Sequence, residues 1–307
     1  MRKLSDQFME DLNNPEGKLH PILTRVKKDH TLMLAIRENF INIYYRGGNI
    51  LNIRENNKGF YQTSFDENYN QSVLLMPDSP TQINHQDDSK NWVDSFPFRK
   101  NMMDEYFSTY GKAEREFQQL IARENNNSTI SNESEYFVAD IEVTESDARF
   151  DMIAIRWLAS HRQSGSNCKA ALIEVKYGDG ALGGKAGLLK HLQDMEKLIS
   201  NKERYSDLLQ TMESQFNQLD ELGLLKFNKG TSKTKVKLNP GEKPEVIFIL
   251  ANHNPRSTKL KTMLGNPDIK KYAQSQLFDL KFFVASFAGY GMHAKCMLPL
   301  NEFLELL

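Results

Sequence analysis

Residues 150–187 read FDMIAIRWLASHRQSGSNCKAALIEVKYGDGALGGKAG, and the order of patterns in this stretch decides the fold. Asp151 opens an apolar run and a polar loop follows. A second apolar run, Ala170 to Tyr177, closes on Glu174-Val175-Lys176. Short apolar runs bounded by turn-forming residues predict strands. Side chains alternate across a strand, so Asp151 shares a face with Ile153 and Ile155, and Glu174 shares one with Leu172 and Lys176. If the two strands pair, two carboxylates and a lysine meet at one edge of a sheet. Hard divalent cations take oxygen ligands of this kind, which makes the meeting point a candidate metal site.

Charge content alone produces acid-any-Lys triplets freely. The chain holds five, the others being Glu16-Gly17-Lys18, Asp88-Ser89-Lys90, Asp268-Ile269-Lys270 and Asp279-Leu280-Lys281. The triplet at 174 differs in its setting: it ends an apolar run, an acid-bearing strand precedes it and a Gly-rich loop follows. Asp279 instead begins its strand, and Asp268 reads as a helix start. Without such a setting, an acid and a lysine two apart read as a solvent-facing pair, because charged residues mostly sit exposed.

The neighbouring stretches extend the pattern in both directions. Met102–Asn125 predicts a helix with Ala113, Phe117, Leu120 and Ile121 on one face, flanked by Glu114 and Glu116. Phe137–Val143 and Phe150–Leu158 predict a hairpin, with Asp140 and Glu142 alternating on its first strand. Gly184–Ser200 predicts a helix whose Lys190, Gln193 and Lys197 form one stripe. A long polar helical region runs on to about Leu225. A basic loop follows over 226–243, with Lys226, Lys229, Lys233, Lys235 and Lys237. Val246–Leu250 and Phe282–Phe287 predict buried strands, with a helix over Asp268–Gln276 between them.

Nearer the N-terminus, residues 4–28 predict helix. Four short strands follow, Thr31–Arg37, Phe40–Arg46, Ile50–Arg54 and Phe60–Phe65, joined by Gly- and Asn-bearing turns. Tyr44, Tyr45, Phe60 and Tyr61 read as core aromatics, with a platform for bases or sugars as the functional alternative. Residues 76–99 are polar and broken by Pro77, Pro80 and Pro97, the composition of a linker or surface loop. The expected fold class is α/β (α+β): a mixed central sheet flanked by helices, with an N-terminal antiparallel β-meander. Three segments follow, residues 1–75 for the meander with its helix, 76–100 for the linker and 101–307 for the main domain.

Composition sets bounds on function. A chain of 307 residues with 39% hydrophobic content can bury a core. Its net charge of −1 supplies no global field toward nucleic acid, so any such contact must be local. Cys168 and Cys296 are too few and too far apart for a disulfide scaffold, zinc finger or iron–sulfur cluster. His161, His191, His253 and His293 lack metal spacing. The N-terminus has no apolar signal core and no stretch reads as a membrane span, so a soluble, cytoplasmic protein is expected.

The order helix with Glu, strand with Asp, strand with Glu-x-Lys, helix with Gln resembles the PD-(D/E)xK nuclease superfamily. Its members include restriction-endonuclease-like, lambda-exonuclease and RecB-type enzymes. The resemblance covers roughly Gly111–Leu198. Phe150 stands where the motif name has Pro, and Lys197 where the RecB-type Gln-x-x-x-Tyr signature has Tyr. The resemblance implies a restriction-endonuclease-like sheet and a Mg²⁺- or Mn²⁺-dependent nuclease, with DNA the expected substrate and 5′-phosphate products. Asp151 and Glu174 would be metal ligands with the Val175 carbonyl, and Lys176 would place the attacking water and stabilise developing charge. Glu116 would be a third acid, with Glu114 the runner-up, ahead of Asp140 and Glu142. Gln193 would contact substrate or orient the lysine.

The loop Gly178–Lys185 is not a phosphate-binding P-loop, because Asp179 occupies the first Gly position and Ala186 the Ser/Thr position. Beside a metal site it could still approach a DNA phosphate, with Lys185 and Lys190 adding charge. Two other classes compete: a catalytically inactive nuclease-fold module binding nucleic acid or protein, and a homo-oligomer formed through the helical region 188–225.

Overall fold

In the computed structural model every residue from Ala170 to Lys176 is buried, on both faces of strand β8 (Lys169–Tyr177). A strand sealed on both sides lies inside a sheet covered by helices. The structure describes residues 1–56, 58–69, 79–127, 133–145, 148–162, 167–184, 187–228, 235–252, 257–285, 292, 294 and 297–306. The chain divides into two compact units, one of Arg2–Gln119 with Gln218–Leu224, the other of Met1, Leu120–Asn217 and Leu225–Leu307.

In the C-terminal unit, β8 joins β6 (Tyr136–Glu145), β7 (Ala148–Arg156), β9 (Glu245–Ala251), β10 (Asp279–Val284) and β11 (Leu298–Pro299). They form one six-stranded sheet of order β11-β10-β9-β8-β7-β6. β6, β7 and β8 run antiparallel in succession, whereas β8–β9 and β9–β10 are parallel. Parallel neighbours need crossovers. Helices α5 (Leu188–Ser200) and α6 (Lys202–Glu221) form the first; α7 (Lys259–Leu264) and α8 (Pro267–Lys270) form the second. Helix α9 (Leu300–Leu306) ends the described chain.

Helix α6 seats Phe216 against Phe137 and Trp157, with ring centroids 6.2 Å apart in each pair. Tyr205, Leu208, Leu209 and Met212 on the same helix are also buried. These positions of α6 are therefore covered by the chain itself.

In the N-terminal unit, β1 (Leu32–Ile36), β2 (Phe40–Tyr45), β3 (Gly48–Glu55), β4 (Tyr61–Ser64) and β5 (Gln82–Ile83) form a five-stranded sheet, each antiparallel to the next. Ile41, Ile43, Ile53 and Ile83 are fully buried, each contributing about 1.5–3 kcal/mol of hydrophobic stabilisation. Arg54, Gln62 and Ser64 alternate outward. The β2–β3 turn needs glycine: Gly47 has φ 73°, and a Cβ there would lie 2.6 Å from the Arg115 carbonyl carbon. Helices α1 (Asp6–Asn13), α2 (His20–Lys28) and α3 (Gln86–Thr109) complete the unit. Tyr44 and Tyr61 are core residues, and the Tyr61 hydroxyl donates to Asp11 at 2.6 Å. The Tyr45 hydroxyl donates to Asp104 at 2.9 Å.

Two sequence expectations need correction. The segment read as linker is mostly helix: α3 runs straight through Pro97, opened by a reciprocal capping box between His85 and Asp88. Trp92, Phe96, Met102, Met103 and Phe107 supply its buried face, a periodicity that the three prolines obscured. The helix expected over Met102–Asn125 is two helices, α3 and α4 (Ala113–Asn126), separated at Gly111. The division between the two compact units falls within α4. Among the described residues no helix is long and apolar enough to cross a membrane.

Candidate active site

The register of β7 and β8 pairs Ile153 with Leu172 and Met152 with Ile173. One step further, Asp151 stands across from Glu174. Residues opposite one another in an antiparallel ladder project from the same face. Asp151 bends to the partner strand, where its Oδ2 accepts the Val175 backbone N–H at 2.7 Å. Two residues along β8 from Glu174, Lys176 lies on the same face and donates from Nζ to Glu174 Oε1 at 2.7 Å. The structure thus brings Asp151, Glu174, Val175 and Lys176 together. They lie where β8 changes from an antiparallel neighbour to a parallel one, toward its C-terminal end, the usual place for a ligand site in such sheets.

The group is sealed. Glu174 is 2% exposed and Lys176 5%. A third side chain completes it: His191 Nε2 lies 2.9 Å from Glu174 Oε1. Burial pushes the Glu174 pKa up, but the hydrogen bond from His191 and the charge of Lys176 outweigh it and hold the carboxyl below its usual value. Oε1 therefore has two donors, while Oε2 is buried with no hydrogen-bond partner. An unsatisfied buried acceptor costs about 1–3 kcal/mol, more when charged. A native protein tolerates that where a water or an ion fills the place. A buried anionic oxygen across the ladder from a second carboxylate suits a hard cation, and Asp151 and Glu174 are the residues that could hold one.

The other acidic candidates have different neighbours. Glu116 sits in the N-terminal unit, where its Oε1 accepts from Arg46 Nε at 2.9 Å, and Arg46 also pairs with Asp104 at 2.8 Å. Arg46, in the turn after β2, is thus the cation that pairs with Glu116 in that unit. Glu114, the runner-up, starts the same helix in the same unit. Asp140 is buried and accepts from Gln215 Nε2 at 2.7 Å, turned toward α6 by a register shift between Val138 and Asp140. Glu142 lies between the pairs Ile141–Met152 and Val143–Phe150, beside Asp151 in the ladder, and takes φ 51° there. It accepts from Arg149 Nη2 at 2.7 Å. That hydrogen bond raises the Arg149 pKa, and the Asp151 and Glu174 carboxylates add to it, so Arg149 shares their field.

Helix α5 presents His191, not Gln193, to the carboxylate. Two residues on a helix differ by about 200° of rotation, so Gln193 faces away from Glu174 and is exposed. Lys190 is also exposed and paired with Asp194. Lys185, like His253 and His293, lies outside the described residues. Gly187 opens α5 in a space where a Cβ would meet the Leu182 carbonyl oxygen at 2.7 Å. Among the described residues no three His, Cys, Asp or Glu side chains close into a cage that could hold a metal.

The sequence reading missed His191 because a lone histidine without spacing partners carries no motif. The available signal was periodic: Leu188, Leu192, Met195 and Ile199 define the buried face of α5, and His191 borders it. Compared with protein-family models, curated proteins and solved structures, the chain matches none.

Proposed function

We propose that this chain is a metal-dependent nuclease of the PD-(D/E)xK type, hydrolysing phosphodiester bonds of DNA. The succession α4, β6, β7, β8, α5, β9, with three antiparallel strands and then a parallel one, agrees with a restriction-endonuclease-like core. The single observation that carries the reading is the buried, unpartnered Glu174 Oε2 beside a lysine and opposite Asp151.

Asp151 and Glu174 would hold the cation, with the Val175 carbonyl as a further oxygen ligand. Mg²⁺ keeps several waters and takes only one or two carboxylates, so two protein acids suffice without a preformed cage. Bound there, Mg²⁺ or Mn²⁺ would supply positive charge against the phosphoryl oxygens and activate a water. Lys176, fixed by Glu174, places an ammonium where negative charge develops. The Val175 N–H fixes Asp151 in turn, and burial of the group excludes bulk water and strengthens each of these interactions.

The test uses linear and circular, single- and double-stranded DNA, and RNA, each with Mg²⁺, Mn²⁺ or EDTA. Cleavage of DNA that EDTA abolishes is expected. Glu174→Gln should lower the rate by about 10²-fold or more, the size of effect seen when one transition-state contact is lost. Wild-type activity in Glu174→Gln, with its circular dichroism unchanged, would reject the assignment.

A further inference from the structure

We propose that His191 is a positioning residue that commits Glu174 to ligate through Oε2 alone. The inference rests on the nuclease reading for the identity of the ligand and adds His191 to the atoms that reading uses.

A carboxylate has about four acceptor sites, two on each oxygen. On Oε1 both are in use, by Lys176 at 2.7 Å and His191 at 2.9 Å. On Oε2 neither is. The terminal torsion of a glutamate is soft and roughly two-fold, so one donor leaves the carboxylate able to swing. Lys176 is a weak anchor by itself, because it leaves the same strand two residues away on four flexible methylenes. His191 arrives from a different element on a ring with two torsions. Its helix start is fixed in turn: the His191 N–H donates to the Gly187 carbonyl at 3.3 Å, and Gly187 fits only because it lacks a Cβ. Donors from two elements converge on one oxygen and lock the plane of the carboxylate. The other oxygen is left to a cation, in a monodentate mode. Side chains that orient a metal-ligating carboxylate typically change metal affinity about 10–100-fold when removed.

His191→Met keeps the bulk of the ring and has no donor, whereas His191→Gln places an amide N–H near the position of Nε2. Calorimetry with Mn²⁺ is the primary readout, with the Mn²⁺ concentration for half-maximal DNA cleavage as the second. His191→Met should weaken Mn²⁺ binding about 10–100-fold and raise that concentration by the same factor, while the rate at saturating Mn²⁺ stays within a few-fold. His191→Gln should recover most of the affinity. Thermal melts accompany both variants, since a packing role would affect Met and Gln alike. Unchanged Mn²⁺ affinity in His191→Met, or no recovery in His191→Gln, would overturn the proposal. A wild-type protein that binds Mn²⁺ and cuts nothing would sink the nuclease reading, and the two variants would still decide the role of His191. Wild-type protein that binds no Mn²⁺ overturns both.

Discussion

Burying a lysine against a glutamate two residues away on the same strand is expensive, and the cost separates function from packing. Lys176 and Glu174 are almost fully withdrawn from water, and taking both charges out of solvent roughly cancels their attraction. Lys176→Met should therefore lower unfolding free energy by about 3–5 kcal/mol in urea titrations, because Glu174 then keeps only His191. Combining it with Glu174→Met should restore wild-type stability or exceed it, while leaving no activity. If the double variant is as unstable as the single, the pair is structural.

A second carboxylate gives a pH prediction in the N-terminal unit. Asp29 is pushed up by burial, yet hydrogen bonds from Lys100 at 2.5 Å and Thr31 at 2.6 Å prevail and hold it far below its ordinary 3.8. A depressed pKa stabilises the fold above the unfolded value and is lost as pH falls below it. Melting temperature should drop below about pH 4 in wild type and fall less in Asp29→Asn. Equal acid slopes would refute this.

The site was readable to different depths. Asp151, Glu174 and Lys176 could be placed on one face of the sheet because strand alternation is a local rule. The ion pair of Glu116 with Arg46, 70 residues away, is a contact that no local pattern encodes.

At the scale of elements, α3 shows how a strong local signal can lose to packing. Proline removes one intrahelical hydrogen bond and crowds the preceding turn, at about 3 kcal/mol in a helix interior. Pro97 nonetheless lies mid-helix, because the capping box at His85 nucleates the helix and residues from Trp92 to Phe107 bury its apolar face. Pro97 itself is exposed, so no core contact depends on its ring. Pro97→Ala should raise stability, by up to about 3 kcal/mol, measured as an upward shift in the melting temperature. A loss of stability would mean that the proline is itself needed to seat the helix. Strands were easier to read than this helix. β8 and β9 are apolar runs buried on both faces and could be bounded to within a few residues from sequence alone. Which of their neighbours would be parallel could not be read, since that depends on the length and path of α5 and α6.

Across the whole molecule, acidic and basic residues nearly cancel, leaving a net charge of −1. On the nuclease reading, DNA would not be drawn by an overall field, so the contact would be local. Helix α5 offers one such place: Lys190, Gln193 and Lys197 are all exposed along one stripe of the helix whose inner side presents His191 to Glu174. Lys190 is already paired with Asp194, which tempers its attraction for phosphate. Each phosphate neutralised on duplex DNA contributes about −0.9 to the slope of log affinity against log salt concentration. Lys190, Lys197 and Lys185 together set an expected slope of about −3 by that rule. Lys190→Gln with Lys197→Gln should reduce it to about −1, read by fluorescence anisotropy on labelled duplex with Ca²⁺ in place of Mg²⁺ to suppress cleavage. A slope steeper than about −5, or one that the double substitution leaves unchanged, would place the DNA on another surface of the chain. The carboxylate site would be unaffected by that outcome, because its geometry depends on β7, β8 and the inner side of α5 and on neither Lys190 nor Lys197.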